Sequence, residues 1–142
     1  MNIRDGVREK LGDKITQWRE ISRRRIYLEV DKKDILEAAR ILFLELGMRF
    51  ATASGIDTPE GIEILYHFSF DENGEIYTLR VLLDDKKRPE ADSITPLIKG
   101  AEWIEREMWE MLGIQFRGHP NLKRLLLADD WPQGEHPLRG KE

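Results

Sequence analysis

The middle of the chain carries the residue pattern of β-strands. In residues 61–70 apolar side chains fall on every second position, which is the period of a strand with one face toward a core. Asp71-Glu72-Asn73-Gly74 follows and suits a hairpin turn, because Asn-Gly tolerates positive φ angles, so residues 75–83 are predicted to be the partner strand. Residues 48–56 predict a third strand of this group, and residues 26–30 an earlier one.

Three other stretches predict helices. After Asp31, which occupies the position of an N-cap, apolar residues recur at intervals of three and four until Gly47 ends the pattern. A further helix is predicted over residues 97–112, and a weaker pattern predicts a first helix over residues 7–18. The helix at 97–112 has an apolar face of Ile104, Met108, Met111 and Leu112, with Glu105, Arg106 and Glu110 predicted to lie off it.

This order of elements predicts an α+β fold. We expect a mostly antiparallel four-stranded sheet with helices on one face, built from residues 1–112. Residues 113–142 form an extended C-terminal tail in this interpretation, because they show neither a helical nor a strand period. A loop of that length is uncommon in a compact domain unless it is functional or disordered.

The tail is too apolar to be a solvated, disordered segment. The residues that make it so are Leu122, Leu125, Leu126, Leu127, Trp131 and Leu138. We therefore expect the tail to be ordered against a partner protein.

The composition narrows the classes of function. The chain has 142 residues, 40% of them apolar, which is enough for one core, but no apolar run is long enough to cross a bilayer. There is no secretion signal and no cysteine, so we expect a cytoplasmic location and no iron–sulfur cluster held by this chain's own thiolates. A net charge of −4 argues against nucleic acid as the main partner. A charged fraction of 35% with few Asn and Gln is typical of thermophilic proteins.

Glu105 and Glu107 could be interpreted as catalytic carboxylates. Acid–base catalysis needs two acids that converge on a substrate, and residues two positions apart on a helix point to different sides. Ion pairs within the domain or across an interface are therefore the favoured interpretation of Glu105, Arg106 and Glu107.

Histidines and arginines provide two further candidate sites. His119, Glu135 and His136 could hold a metal ion, but the two histidines are 17 residues apart with no evident third ligand of zinc-site spacing, and His67 is placed in a strand. We favour roles as hydrogen-bonding turn residues or interface contacts for His119 and His136, and a sheet-face position for His67. A basic cluster consists of Arg19, Arg23, Arg24 and Arg25. It could contact nucleic acid, anionic lipid or an acidic partner, or it could be a solvated segment that leads into a strand.

Five short motifs stand at fixed spacing in the last third of the chain. They are Trp103-Ile104-Glu105-Arg106-Glu107, Met111-Leu112-Gly113-Ile114, Gly118-His119-Pro120, Lys123-Arg124-Leu125-Leu126 and His136-Pro137-Leu138-Arg139. Together they resemble the signature of the 30 kDa subunit of respiratory complex I (NADH-quinone oxidoreductase) over about 40 residues.

A finer similarity lies within the tail. Asp129-Asp130-Trp131-Pro132 is more similar to the homologous subunit of energy-converting, membrane-bound [NiFe] hydrogenases and related ferredoxin-linked complexes. The chain departs from the family pattern at three places: Glu110 replaces Asp, Lys123 replaces Arg, and Gly140 follows Arg139 where Lys-Asp is typical.

The resemblance implies a peripheral subunit on the cytoplasmic face of the cell membrane, without an active site or cofactor of its own. Its C-terminal segment would pack on a large catalytic subunit, which carries the [NiFe] site in hydrogenases or helps to shape the quinone cavity in complex I. A small subunit with iron–sulfur clusters and a membrane arm that pumps H⁺ or Na⁺ would complete the assembly. The alternatives are the equivalent subunit of a quinone oxidoreductase or of a ferredoxin-dependent sulfane sulfur reductase, or an independent binding module.

The resemblance and the tail composition together predict the residues of a partner interface. These are Trp103, Glu105, Arg106, Glu107, Trp109, His119, Pro120, Arg124, Asp130, Trp131, His136, Pro137 and Arg139.

Overall fold

The computed structural model describes residues 2–123, 132 and 134–139. Its helices are α1 (Ile3–Leu11), α2 (Ile35–Arg40) and α3 (Glu102–Leu112). Its strands are β1 (Ile15–Ser22), β2 (Arg25–Val30), β3 (Arg49–Thr58), β4 (Gly61–Phe70), β5 (Glu75–Leu83), β6 (Glu90–Asp92) and β7 (Gln115–Arg117).

Five strands form one mixed sheet in the order β1-β2-β5-β4-β3. Neighbouring strands are antiparallel except β2 and β5, which run parallel. The predicted α+β class and the mostly antiparallel pairing are confirmed, but the predicted count of four strands is wrong, because the sheet has five strands. Because α2, β3 and β4 separate β2 from β5 along the chain, the connection is long enough for a parallel pairing.

The additional strand is β1, which lies in the region where the sequence predicted the end of a helix. Helix α1 is capped by the Asn2 side chain, which accepts the N–H of Asp5 at 2.8 Å, and it ends at Gly12, whose φ of 50° leaves the helical region. Strand β1 then pairs at the edge of the sheet. Most of its side chains are exposed, so its sequence lacks the alternation that a half-buried strand would show.

The meander of β3, β4 and β5 agrees closely with the sequence prediction. Strands β4 and β5 have the predicted bounds, and Gly74 adopts a φ of 75° in the hairpin between them. One face of β4 carries the fully buried Ile62, Ile64, Tyr66 and Phe68. The opposite face of the sheet carries half-buried polar groups, so the helices cover the first face.

The helical region that begins with α2 also follows its prediction at both ends. The Asp31 carboxylate accepts the N–H of Lys33 at 3.1 Å in a 3₁₀ turn that leads into the helix at Ile35. The helix continues as a π-helical segment, Ile41–Glu45, and the chain leaves it through Gly47 with a φ of 67°.

Helix α3 is shorter than predicted, and two strands of three residues flank it. A 3₁₀ turn, Lys99–Ala101, precedes the helix, and Gly113 with a φ of 79° ends it as expected. Strands β6 and β7 form a parallel pair that was not predicted, because three residues are too few to show a period. The pair brings residues 115–117, predicted as tail, against residues 90–92. No helix in the described part of the chain is long and apolar enough to cross a bilayer.

Candidate partner-binding surface

Helix α3 is buried on two sides. Glu105, Met108 and Leu112 face the sheet, and α3 approaches β3 so closely that a Cβ atom on Gly55 would lie 2.4 Å from Leu112. A second arc of the helix, which includes Arg106, is covered by the tail. The prediction that Glu105, Arg106 and Glu110 lie off the buried side is wrong: they are 0%, 4% and 3% exposed. The tail makes a second buried face that helical periodicity alone does not indicate.

The carboxylate of Glu105 is the centre of a buried hydrogen-bond network. It accepts the hydroxyl of Tyr66 at 2.7 Å, the hydroxyls of Ser93 and Thr95 at 2.5 and 2.6 Å, and the N–H of Ile94 at 3.1 Å. Burial, followed by the charge of Glu105 and the hydrogen bond to it, raises the pKa of Tyr66 well above its ordinary value. Tyr66 therefore keeps its proton and remains a donor.

This network fixes the position of α3 rather than providing a reactive group. Four donors occupy the oxygens of Glu105, and the side chain has no exposed surface in this structure. Glu107 lies on the outer side of the helix, so the two acids point apart, as the sequence predicts. Sequence reasoning missed Ser93 and Thr95, since nothing in a Ser-Ile-Thr run marks it as the lining of a carboxylate site.

Arg106 connects α3 to the tail. Its Nε donates to the carbonyl oxygen of Lys123 at 3.2 Å, and its guanidinium lies 5.0 Å from the ring centroid of Trp103. An arginine over an indole face gains a cation–π interaction. The Trp103 side chain therefore packs on a buried cation while it remains 60% exposed.

His119 fastens the start of the tail to the N-terminal end of α3. Its Nδ1 accepts the N–H of Asn121 at 3.0 Å, so its Nε2 carries the proton and donates to the carbonyl oxygen of Glu102, also at 3.0 Å. The imidazole thus acts as a hydrogen-bonding turn residue.

Residues 134–139 return to the C-terminal end of α3 and satisfy its last carbonyl groups. Gly113 N–H donates to Trp109 O at 2.9 Å, and His136 Nδ1 donates to Glu110 O at 2.9 Å. The next two carbonyl oxygens, of Met111 and Leu112, accept from Leu138 N at 2.9 Å and Arg139 Nη1 at 3.3 Å. A helix end leaves such carbonyls without intrahelical partners, so this part of the tail acts as a C-cap supplied from a distant segment.

Arg139 connects this cap to the loop after β5 and to the end of β3. Its Nη2 donates to Lys86 O at 2.8 Å, and its guanidinium forms an ion pair with Asp57 at 3.6 Å. Asp57, whose side chain is 8% exposed, also pairs with Lys86 Nζ at 2.7 Å. One carboxylate at the end of β3 therefore holds both the tail and the loop that follows β5.

The solvent-facing arc of α3 is mostly apolar. Trp103 is exposed, and Ile104, Glu107 and Met111 are partly exposed on the same side, because each residue turns by 100° around the helix axis. Leu138, 58% exposed, follows at the C-terminal end. An exposed aromatic and apolar strip on a rigid helix is the type of surface that anchors a partner.

The predicted interface residues thus divide into three groups. Glu105 and Arg106 are internal, whereas Trp103, Pro120 and Pro137 are exposed. Glu107, Trp109, His119, His136 and Arg139 are partly exposed, and the last three bond to the chain's own backbone. Arg124, Asp130 and Trp131 lie outside the described residues.

The histidines lie apart from one another in the described part of the chain, whereas the arginines form an exposed cluster. His119 and His136 bond to carbonyls eight residues apart on α3, or about 12 Å along its axis. The described part of the chain contains no group of three or more metal-ligating side chains. His67 lies on the outer sheet face, where it bonds to Thr78 at 2.8 Å and where burial, then Arg25, lowers its pKa. The basic cluster is exposed around the β1–β2 turn, at Arg19, Arg23, Arg24 and Arg25.

Known proteins share this sequence pattern. Residues 28–142 match the family model described as respiratory-chain NADH dehydrogenase, 30 kDa subunit. The C subunit of the F(420)H(2) dehydrogenase of Methanosarcina mazei is 35% identical over 121 residues, which cover 81% of this chain and 72% of that protein. The C/D subunit of the NADH-quinone oxidoreductase of Bacteroides thetaiotaomicron is 38% identical over 111 residues, 68% of this chain but 21% of that protein.

The chain spans about half or less of the length of several of the curated relatives it matches. In fold it is similar to a chain of the membrane-bound sulfane sulfur reductase, an archaeal respiratory membrane complex. The TM-score is 0.84 at 23% identity, and the match covers 96% of this chain and 81% of that one.

Proposed function

The chain belongs to the respiratory-chain NADH dehydrogenase 30 kDa subunit family, and we propose that it is a non-catalytic subunit that holds together a membrane-bound, ion-pumping redox complex. The observation that carries the proposal is the two-sided burial of α3. Two charged groups of the motifs, Glu105 and Arg106, bond within the chain, and the outer arc presents Trp103 and its apolar neighbours to solvent. A braced helix with an exposed aromatic anchor suits docking to a partner.

The partner we propose is the large catalytic subunit of the complex. Several relatives are C/D subunits by name, and the matching region is only a small part of each. In these relatives subunits C and D are named as one polypeptide. This supports the proposal that the part similar to our chain and the remaining D part are neighbours in an assembly. Neighbouring subunits would hold the [NiFe] site and the iron–sulfur clusters, since this chain has no cysteine to ligate a cluster.

Among complexes of this type we propose an energy-converting hydrogenase. The Asp129-Asp130-Trp131-Pro132 run supports this assignment by its resemblance to the hydrogenase homologues. The second candidate is a quinone or F(420)H(2) oxidoreductase, which the names of the relatives at 35–38% identity favour. A sulfane sulfur reductase is the third, through likeness of fold. In each case the chain would sit peripherally at the cytoplasmic face of the cell membrane.

Purification of the tagged chain from its native membranes in mild detergent tests the proposal. We expect a large [NiFe]-type subunit, an iron–sulfur subunit and membrane-arm subunits by mass spectrometry, with hydrogen evolution by the eluate. The same partners without hydrogen evolution would replace the hydrogenase assignment with the quinone or sulfur alternatives. Recovery of the chain alone would refute the scaffolding function.

A matched pair of variants tests the proposed surface itself. Trp103→Ala is expected to lower partner recovery at least about tenfold, because central exposed tryptophans commonly dominate binding energy. Leu44→Ala is the control, since Leu44 is 58% exposed on the segment after α2, against 60% for Trp103. Equal recovery with both variants would show that α3 is not the docking helix.

A further inference from the structure

A groove between the loop after β5 and the tail concentrates positive charge. It has a volume of about 720 Å³. Among the described residues, four cationic side chains line it, and Glu90 is the acidic one; the cations are Lys86, Lys87, Arg88 and Arg139. Asp57, at the end of β3, pairs with both Lys86 and Arg139. In the described part of the chain, the groove and its surroundings thus combine four cations with two carboxylates, whereas the net charge of the whole sequence is −4.

The loop that forms one wall of this basic groove has a defined conformation. The Asp85 carboxylate accepts the N–H groups of Lys87 and Arg88 at 3.1 and 3.3 Å, which is the pattern of an Asx turn. Both side chains are exposed. Neither forms an ion pair with any carboxylate of the described residues.

The other wall is the part of the tail that caps α3. Arg139 bonds to Lys86 O and Leu112 O, so it connects the loop, the tail and the helix end. His136 bonds to Glu110 O and lies so close to Gly113 that a Cβ atom there would be 2.8 Å from its ring. The two walls are therefore held at a fixed separation by hydrogen bonds rather than by the occupant of the groove.

We propose that the basic groove binds an acidic segment of a partner polypeptide. This inference rests on the proposed function, because it assumes that the chain works within an assembly. Charge complementarity favours an acidic peptide. Lys87 and Arg88 form no ion pair within the described part of the chain, and association of such cations with carboxylates is strongest at low ionic strength. An extended peptide fits an open groove between two chain segments, and its binding would also stabilise the capped end of α3.

Charge-reversal variants at two places distinguish peptide binding in this groove from a general effect of the net charge of the chain. The test variant is Lys87→Glu with Arg88→Glu. The control is Arg23→Glu with Arg24→Glu, which changes the net charge equally. Arg24 lies beside the start of β5, where its carbonyl oxygen accepts the N–H of Ile76, so the control site is separated from the groove by the strand length of about 27 Å.

The first measurement is fluorescence anisotropy of a labelled octaglutamate peptide titrated with the full chain. We expect salt-sensitive binding that is weakened at least about tenfold by the groove variant and changed less than about twofold by the control. Equal binding to wild type and groove variant would overturn the proposal. Tighter binding of a single-stranded oligonucleotide of equal length through the same residues would also overturn it, in favour of a nucleic-acid surface.

The second measurement repeats the membrane purification with both variants. Loss of partner subunits from the groove variant alone supports the proposal. Full recovery of partners with the groove variant overturns it while leaving the scaffolding function intact. If the wild-type chain recovers no partner, the scaffolding function fails, whereas the peptide titration still decides whether the groove binds acidic polypeptide.

Discussion

The β3–β5 meander and the unit formed by α3 with its tail use charged residues in different ways. In the meander Arg49 pairs with Asp71 at 2.9 Å, and both side chains are 60% exposed. In α3 the Glu105 carboxylate is fully buried among four donors. Water screens an exposed pair, so its loss matters little, whereas a buried polar group without a partner retains its full desolvation penalty.

The difference shows which part of the molecule depends on individual side chains. The meander is held by backbone ladders and by the alternating apolar residues of β4 and β5. The position of α3 depends instead on a few groups, among them Tyr66 of the meander, 39 residues away from Glu105. The surface that α3 presents to a partner is therefore sensitive to substitutions far from that surface.

Glu105→Ala should give the largest effect. The hydroxyls of Tyr66, Ser93 and Thr95 and one N–H would lose their common acceptor, with an expected loss of about 3–5 kcal/mol in the free energy of unfolding. Urea denaturation of the purified chain measures it. Glu107→Ala is the matched control on the outer side of the same helix and should change stability by less than about 0.5 kcal/mol. Similar values for the two variants would remove the distinction between buried and exposed charge.

Gly113→Ala should give the second largest effect. The position needs a φ of 79°, and an added Cβ would meet the His136 ring at 2.8 Å. We expect the free energy of unfolding to fall by about 1–2 kcal/mol from backbone strain and by about 1–3 kcal/mol more from displacing His136. Gly47→Ala is the control, because Gly47 has a φ of 67° and, apart from its chain neighbours, no heavy atom of the described residues lies within 4 Å of the added Cβ, so only the backbone strain applies. Equal melting temperatures for the two variants would mean that the tail does not brace the helix end.

Arg139→Ala should act mainly on the tail. It removes the donors to Lys86 O and Leu112 O and a cation that pairs with Asp57, which also pairs with Lys86. We expect the free energy of unfolding to fall by about 1–3 kcal/mol and trypsin to cleave within the tail faster. Limited proteolysis followed by mass spectrometry measures both the rate and the site. Arg117→Ala, at an exposed surface pair, is the control, and unchanged cleavage in Arg139→Ala would contradict the capping role.

Asp71→Asn should give the smallest effect, and one that depends on pH. Hydrogen bonds from Arg49 and then Ser69 lower the pKa of Asp71 to about 2, from an ordinary value of 3.8. Because the folded-state pKa is the lower one, the unfolded chain binds protons more readily between these values. The stabilisation is complete above about pH 4 and is lost as pH falls toward 2.

Thermal melts of wild type and Asp71→Asn from pH 5 down to pH 2 check this sign. The difference in melting temperature should narrow as the solution becomes more acidic. A constant or widening difference would contradict the assignment of the shift to the Arg49 pair.

Sequence patterns predicted the elements whose information is local. The bounds of β4 and β5, the Asn-Gly hairpin between them and the exit at Gly47 from the helical segments that begin with α2 all follow from neighbouring residues, and all are confirmed. Strand β1 was missed because an exposed edge strand does not alternate. The parallel pairing of β2 with β5 could not be predicted, since nothing in the residues of β2 identifies the strand with which it pairs.

The candidate surface was predicted in part. The sequence alone identified α3 and its tail as the informative region and determined the family, the charge and the absence of cysteine. The tertiary structure decided which of the motif residues are internal, because burying Glu105 requires donors 10, 11, 12 and 39 residues away to converge on it. It also decided that residues 134–139 cap the same chain's helix, since the unpaired carbonyls of α3 become a binding site for the tail only when the fold brings the two together.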